Sequence, residues 1–551
     1  MDRSATPPRR LRWARLLALV LGALLVLAAC APDDEVVEPD DPDVVDEPDE
    51  PDDVDEPEDV DEPDEVPDDP TTFRVAVGVD LDTLDPAGQT TTTVANMVDY
   101  TVETLTRIDE EGAVLPNLAS DWEVSDDGLT YTFELEQGVE FHDGEPFNAE
   151  AVATTFDRIL DEEVTVPIRA PYEAVESVEA LDEHTVEITL SEPFAPFLAG
   201  LSFSASAILS PASIEGDAYL DYTEPVGTGP YTFAEYSPGE RFIVEKFDNY
   251  WGEEPHYDTV EFQIVPEAAT RVSLVRAGQV DMIILPPVSD LPALEDDPEV
   301  EVLMAPGNRT IFIAINNEVI DDVNIRQAMN YAVDKEAIIE RVLFGAADPV
   351  DAPMHESLFG HCAVGSYEYD PDRARELLDE AGVDELEVSF IAPTGRYIQD
   401  FEVAQAISGF LEEVGISAPV ETMDWPTYLA NINVPTEEQG ADMHLLGWAP
   451  SYMDSFQHML VFQTDQQPPA GLATAHYSNP EVDDLLAQAA TEVDESARED
   501  LYCEASEIVM EEAPWIFLHS QSFPIVYRAG LEGITYRPNE SFYAVYAQPA
   551  E

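Results

Sequence analysis

From Ala31 to Pro70 the chain consists almost entirely of Asp, Glu, Pro and Val and contains no basic residue. Such a segment has too little apolar surface to offset the entropy lost on ordering it, so it does not fold by itself. Proline and carboxylate repulsion predict an extended spacer, reaching on the order of 100 Å if polyproline-like at about 3.1 Å per residue. Whatever folds therefore lies in residues 71–551, which is room for about two or three domains.

What precedes the spacer says where the chain works. Arg9, Arg10, Arg12 and Arg15 lead into an uncharged apolar run from Leu16 to Ala29, closed by Leu27-Ala28-Ala29-Cys30. A basic start, a short apolar run and small residues before a cleavage point predict a signal peptide over residues 1–29. The run is shorter than the roughly 20 residues that a membrane-crossing helix needs. Leu-Ala-Ala-Cys resembles a bacterial lipoprotein box, which implies a lipid on Cys30 and attachment to the cell membrane outside the cytoplasm. Residues 30–70 then form the tether. An ordinary signal peptide that happens to end at a cysteine is the alternative.

The formal net charge is −94, and the lysines are Lys246 and Lys335 alone. An acid-rich, lysine-poor chain stays hydrated and soluble in strong salt, as halophile proteins do. At about 1 M ionic strength the Debye length is only about 3 Å, so the charge gives no long-range steering of ligands. No basic patch exists to neutralise phosphates, which excludes nucleic-acid partners. Beyond Cys30 the cysteines are Cys362 and Cys503. In an oxidising compartment they predict one disulfide, two buried thiols being the alternative.

Strand and helix patterns alternate through the body. Phe73, Val75, Val77 and Val79 alternate with polar residues, as do Tyr131, Phe133 and Leu135, then Val186, Ile188 and Leu190. Period two predicts half-buried strands. Asn148 should cap a helix burying Val152, Phe156 and Ile159. Asp370-Pro371 should start one with Ala374, Leu377, Leu378 and Ala381 on its inner face, ended by Gly382. Ile325, Ala328, Met329, Ala332 and Val333 form a helical stripe, after which Asp334 caps a further helix running to Gly345. This mixture, without an internal repeat, predicts α/β lobes.

Motifs of chemistry are missing. There is no His-Glu-x-x-His, no Gly-x-Ser-x-Gly, and no Gly-rich loop followed by Lys-Ser or Lys-Thr. His142-Asp143-Gly144 reads as a hairpin turn, and Gly227, Gly229 and Pro230 as a turn before a strand at Tyr231. No catalytic residue, metal ligand or cofactor is expected.

A family resemblance rests on an ordered series of motifs. They are Leu105-Thr-Arg-Ile-Asp, Leu115-Pro-Asn-Leu-Ala-Ser-Asp-Trp122, Asp127-Gly-Leu-Thr-Tyr-Thr-Phe133 and Phe141-His-Asp-Gly-Glu-Pro-Phe147. Pro225-Val-Gly-Thr-Gly-Pro-Tyr231, Asn249-Tyr-Trp-Gly252, Ile325 to Lys335, Tyr369-Asp-Pro-Asp372 and Ala513-Pro-Trp515 continue it. The series resembles family 5 of the extracellular solute-binding proteins, the dipeptide-, oligopeptide- and nickel-binding receptors of ABC importers. The resemblance implies a two-lobed periplasmic-binding-protein fold of the larger type II kind. One lobe would span 71–305 with an inserted subdomain at about 110–223. The second would span 306–513, and 514–551 would return to the first.

The implied role is that of a monomeric receptor that closes over a short peptide or peptide-like solute and delivers it to the permease subunits. A nickel chelate, haem or oligosaccharide is the alternative ligand, and a secreted peptide or glycan hydrolase the alternative of another class. In peptide-binding relatives the stretch matching Leu446-Gly-Trp-Ala-Pro-Ser-Tyr-Met-Asp-Ser-Phe456 carries an Asp for the ligand's α-amino group where this chain has Ser451. Trp448, Tyr452 and Asp454 still match, and Asp454 is the candidate to take over that role. Further candidate ligand-binding residues are Trp425, Tyr397 and Arg396, a guanidinium suited to a carboxylate.

Overall fold

The computed structural model describes residues 70–550 apart from 82, 89–91, 168 and 221. The expected signal segment, Cys30 and nearly all of the tether lie outside the described residues.

A seven-stranded sheet organises the first lobe. Its order is Val300–Ala305, Phe523–Arg528, Met282–Ile284, Thr72–Val77, Thr259–Ile264, Arg241–Lys246 and Tyr231–Ser237. Thr72–Val77 pairs parallel with both neighbours, and antiparallel strands complete each side. Phe73, Val75 and Val77 are buried as their alternation predicts. Val79, expected to continue the strand, lies past its end and is 43% exposed. The chain bends at Gly78, where the Arg271 guanidinium presses against the backbone.

Within this lobe's sequence sits an antiparallel sheet of Ala119–Val124, Thr130–Leu135, Thr185–Leu190 and Val175–Asp182. The helix Ala149–Leu160 packs on it through Val152, Phe156 and Ile159, and Asn148 caps its first turn by accepting from the Ala151 amide. The subdomain has a core of its own, centred on Phe133, Phe141, Phe147 and Tyr172.

The second lobe is built on a six-stranded sheet. Its order is Ala347–Pro349, Trp515–Gln521, Thr310–Ile315, Met443–Trp448, Phe390–Pro393 and Val420–Met423. Helices Val323–Ala332 and Pro371–Glu380 pack together beside it, capped by Asp322 and Asp370. Two expectations need correction here. Trp515–Gln521, expected in the return to the first lobe, pairs with Thr310–Ile315, and the return begins at Phe523. The reason is packing: Trp515 to Ser520 are buried throughout, Trp515 stacks on Phe312, and such a strand suits a sheet interior. The helix capped by Asp334 ends at Arg341, short of Gly345, because Phe344 and Gly345 turn to positive φ. Cys362 and Cys503 are joined as a disulfide, with Cα atoms 5.3 Å apart.

The two sheets are linked twice, once through residues 306–309 and once through Ser522. The links touch. Gln521 N–H donates to the Arg309 carbonyl at 2.8 Å, and a Cβ on Gly307 would lie 2.5 Å from the Gln521 carbonyl oxygen. Among the described residues no helix is long and apolar enough to cross a membrane.

Candidate functional site

Phe390–Pro393, Val420–Met423 and Met443–Trp448 run parallel to one another as neighbours in the second sheet. Loops leaving the carboxyl ends of adjacent parallel strands are the usual place for a ligand in an α/β sheet. Those three ends deliver Arg396 and Tyr397, Trp425, and Trp448.

Their arrangement follows from local rules. Asp400 opens the helix Asp400–Glu413 and accepts the Arg396 and Tyr397 amides at 2.8 and 3.2 Å, which folds the Thr-Gly-Arg-Tyr loop back over the strand end. Tyr397 is thereby buried, and its hydroxyl donates to the Gly447 carbonyl at 3.3 Å. Gly447 has to be glycine, since a Cβ there would lie 2.7 Å from the Tyr397 ring. Asp424 caps the helix Trp425–Ile432, so that Trp425 stacks on Tyr428 at 5.5 Å and meets Tyr397 edge-on at 6.1 Å. The Arg396 guanidinium lies over both rings, 5.2 Å from Tyr397 and 5.1 Å from Trp425. Its desolvation against these rings draws its pKa down, but an arginine stays protonated. Among the described residues it has no carboxylate within ion-pair distance.

Trp448 is half-buried against the Phe312–Trp515 cluster, and its indole N–H donates to the Gln457 carbonyl at 3.3 Å. The next loop is tied to the links between the lobes. The buried Asn308 amide donates to the Pro450 carbonyl at 3.0 Å. Arg309 meets Glu540 of the C-terminal segment through two bonds of 2.9 and 2.8 Å. Ser451 N–H donates to the Gln457 side chain at 2.7 Å.

Asp454 does not stand in for the missing acid. It is 1% exposed, pairs with Arg498 at 3.1 Å, and accepts from the Tyr502 hydroxyl at 3.1 Å and the Phe456 amide at 2.9 Å. Burial pushes its carboxyl up, and Arg498 is the strongest force opposing that. It is an ion-paired cap of the helix Ser455–Met459, with no oxygen left for a ligand ammonium. Tyr452 is equally buried, close to Tyr172 of the subdomain. The subdomain meets the second lobe here. Phe194 packs edge-on against Phe456 at 5.2 Å, and Ala195 N–H donates to the Ala490 carbonyl at 2.9 Å.

The structure therefore brings Arg396, Tyr397 and Trp425 together, places Trp448 next to Gly447, which Tyr397 touches, but packs its side chain in the Phe312–Trp515 cluster, places Ser451 on the adjoining loop, and withdraws Tyr452 and Asp454 into an interface. Sequence reasoning missed Asn308, Arg309, Glu540 and Arg498, whose partners are remote in the chain. It also missed a cavity of about 350 Å³ in the first lobe, lined by Asp99, Glu103, Tyr250, Trp251, Arg537 and Tyr543 among others. There Glu103 accepts from Trp251 at 2.8 Å, Thr228 at 2.8 Å and Tyr250 at 3.1 Å, so two of the quoted motifs converge on one carboxyl. Among the described residues no group of three or more His, Cys, Asp or Glu side chains is placed to hold a metal ion.

Two lobes linked by a pair of touching segments, with an aromatic-lined guanidinium at strand ends of one lobe, define a binding protein that encloses its ligand between lobes. Comparison with known proteins gives the family. Residues 113–468 match the model of the bacterial extracellular solute-binding proteins, family 5, and the chain belongs to that family. It is 30% identical over 473 residues to the glutathione-binding protein of Pectobacterium atrosepticum, covering 85% of this chain and 92% of the relative. Among solved structures it resembles the Helicobacter pylori periplasmic protein DppA in complex with the peptide STSA. That match has a TM-score of 0.72 and 25% identity over 87% of this chain and 98% of the other. The Campylobacter jejuni protein NikZ, solved with Ni(L-His), has the same fold, with a TM-score of 0.72 and 24% identity over 87% of this chain and 99% of the other.

Proposed function

We propose that this chain is the extracytoplasmic receptor of an ABC importer, tethered by a lipid on Cys30, which captures a short peptide or peptide-like solute and presents its closed form to the permease. The observation that carries this reading is the Arg396 guanidinium, held over Trp425 and Tyr397 without a carboxylate partner, at the mouth of a hinged lobe. A free guanidinium on an aromatic floor suits a planar carboxylate, and the rings supply apolar contact for the rest of the solute. The named ligands of the relatives, glutathione and short peptides, carry such carboxylates.

Closure supplies the signal. A solute that touches both lobes favours the closed form through contacts the open form lacks, and no bond is made or broken. Trp448→Ala should weaken solute binding about tenfold while leaving the fold intact, in line with the 1–2 kcal/mol typical of a truncated aromatic anchor. Calorimetric titration with a peptide library tests this, and unchanged affinity in the variant would displace the site. Small-angle scattering should show compaction on ligand addition. Turnover of a labelled peptide by the pure protein would instead support a hydrolase.

A further inference from the structure

The first-lobe cavity plays no part in the receptor role above. Among the described residues its lining comes from the first lobe and its C-terminal return alone. Its volume of about 350 Å³ is at the small end of the roughly 300–1,000 Å³ of small-molecule sites. Two carboxyls and two guanidiniums line it. Burial pushes Asp99 and Glu103 up, yet each keeps accessible surface, and that surface faces the cavity. Glu103 is committed to Trp251, Thr228 and Tyr250, which fixes the wall. Asp99 is only half committed: its Oδ1 accepts from the Ser204 hydroxyl at 2.7 Å, and among the described residues its Oδ2 has no partner. The Arg537 guanidinium lies over the Tyr543 ring at 4.6 Å and acts on both carboxyls from a distance. Among the described residues neither it nor Arg107 has a carboxylate within ion-pair distance.

Charges drawn out of water need a counter-charge in contact, and Asp99 and Arg537 each lack one that the other does not supply. A molecule carrying both signs satisfies them together. Tyr250 and Trp251, with ring centroids 6.1 Å apart, and Tyr543 and Tyr546, 5.9 Å apart, add aromatic surface for an ammonium or an alkyl side chain. We propose that this cavity is a second solute site, separate from the Arg396 site, and that it takes a zwitterion of free-amino-acid size, with the ammonium on Asp99 and the carboxylate on Arg537. The site is additional to the importer role and does not depend on which solute fills the cleft between the lobes.

The test uses the intact protein in about 1 M salt at about pH 8, where both carboxyls are ionised, with free L-amino acids as probes. Thermal shift and calorimetry should find at least one amino acid that binds. Its decarboxylated amine and its deaminated acid should each bind at least about tenfold more weakly. That comparison needs no variant. Asp99→Asn should weaken the amino acid by a similar factor and leave the deaminated acid unchanged. Arg537→Gln should weaken it as much and leave the amine unchanged. Arg396→Gln, in the second lobe, should change nothing. Binding of no amino acid, an amine or acid that binds as well as its parent, or loss of amino-acid binding in Arg396→Gln would each overturn the site. None of these outcomes touches the receptor role, which the peptide titration judges separately.

Discussion

In the first lobe the cavity holds two desolvated carboxyls, Asp99 and Glu103, whereas the second lobe's sheet and site loop bury imidazoles, His444, His458 and His519. Desolvation is the first cause acting on both sets, yet the consequences oppose each other. Burial pushes Asp99 up to about 6 and Glu103 to about 7. It pushes the three histidines down from 6.5 to about 3. Burial favours the neutral form in each case, and the neutral form is protonated for a carboxyl but deprotonated for an imidazole. The two raised carboxyls favour the folded first lobe fully below the ordinary carboxyl range, and lose that contribution as pH rises through about 6 and 7. The lowered histidines favour the folded second lobe fully above about 6.5 and lose that contribution as pH falls toward 3. His142, drawn down by burial in the subdomain, and Asp454, pushed up by burial in the second lobe, are the exceptions. One chain thus contains two lobes whose stabilities should diverge on mild acidification.

The perturbation expected to erase the comparison is removal of salt. With 117 acidic side chains against 23 Lys and Arg, unscreened repulsion should cost both lobes secondary structure at millimolar ionic strength. Circular dichroism that stays constant from molar to millimolar salt would contradict this. Next in size, Trp515→Ala should destabilise the second lobe by about 3–5 kcal/mol through the cavity left beside Phe312 and Phe462. Hydrogen exchange read peptide by peptide should place the loss there and leave Phe73, Val75 and Phe262 of the first lobe protected.

Arg498→Ala should cost the second lobe about 3 kcal/mol, since it leaves the Asp454 charge buried without its cation. Pairing it with Asp454→Asn should recover much of that loss. A denaturant titration in which the double variant is no more stable than the single one would mean the pair does not couple. The smallest effect is the pH divergence itself. Between pH 7.5 and 5, opening free energies from hydrogen exchange should rise around Glu103 and fall around His444 and His519, by on the order of 1 kcal/mol. Parallel shifts in both lobes would break the comparison.

Much of the architecture was legible where the determinants are local. Asn148, Asp334 and Asp370 cap helices as their residue types and spacing predict. Phe133, Val186 and Ile188 face a core as alternation requires. The candidate site was legible in part. Arg396, Tyr397 and Trp425 could be singled out as an arginine and aromatics beside predicted turns, and Trp448 through the family resemblance, but the convergence of the first three comes from parallel strands meeting in one sheet. The surroundings of Asp454 are not legible locally: whether its carboxylate is free depends on Arg498 and Tyr502, which lie 44 and 48 positions further along.

By itself the sequence determined the neighbour-level features of this protein: helix starts, strand faces, and the order of motifs that marks its family. Those depend on a residue and those a few places away, where sterics and backbone hydrogen bonding act. Only the tertiary structure decided that Trp515–Gln521 belongs to the second sheet, that Asn308 ties the hinge to the Pro450 loop, and which charges near the site are neutralised. Ion pairs, sheet order and desolvation arise from contacts between residues far apart in the chain, and no local pattern encodes which distant partner a buried charge will meet.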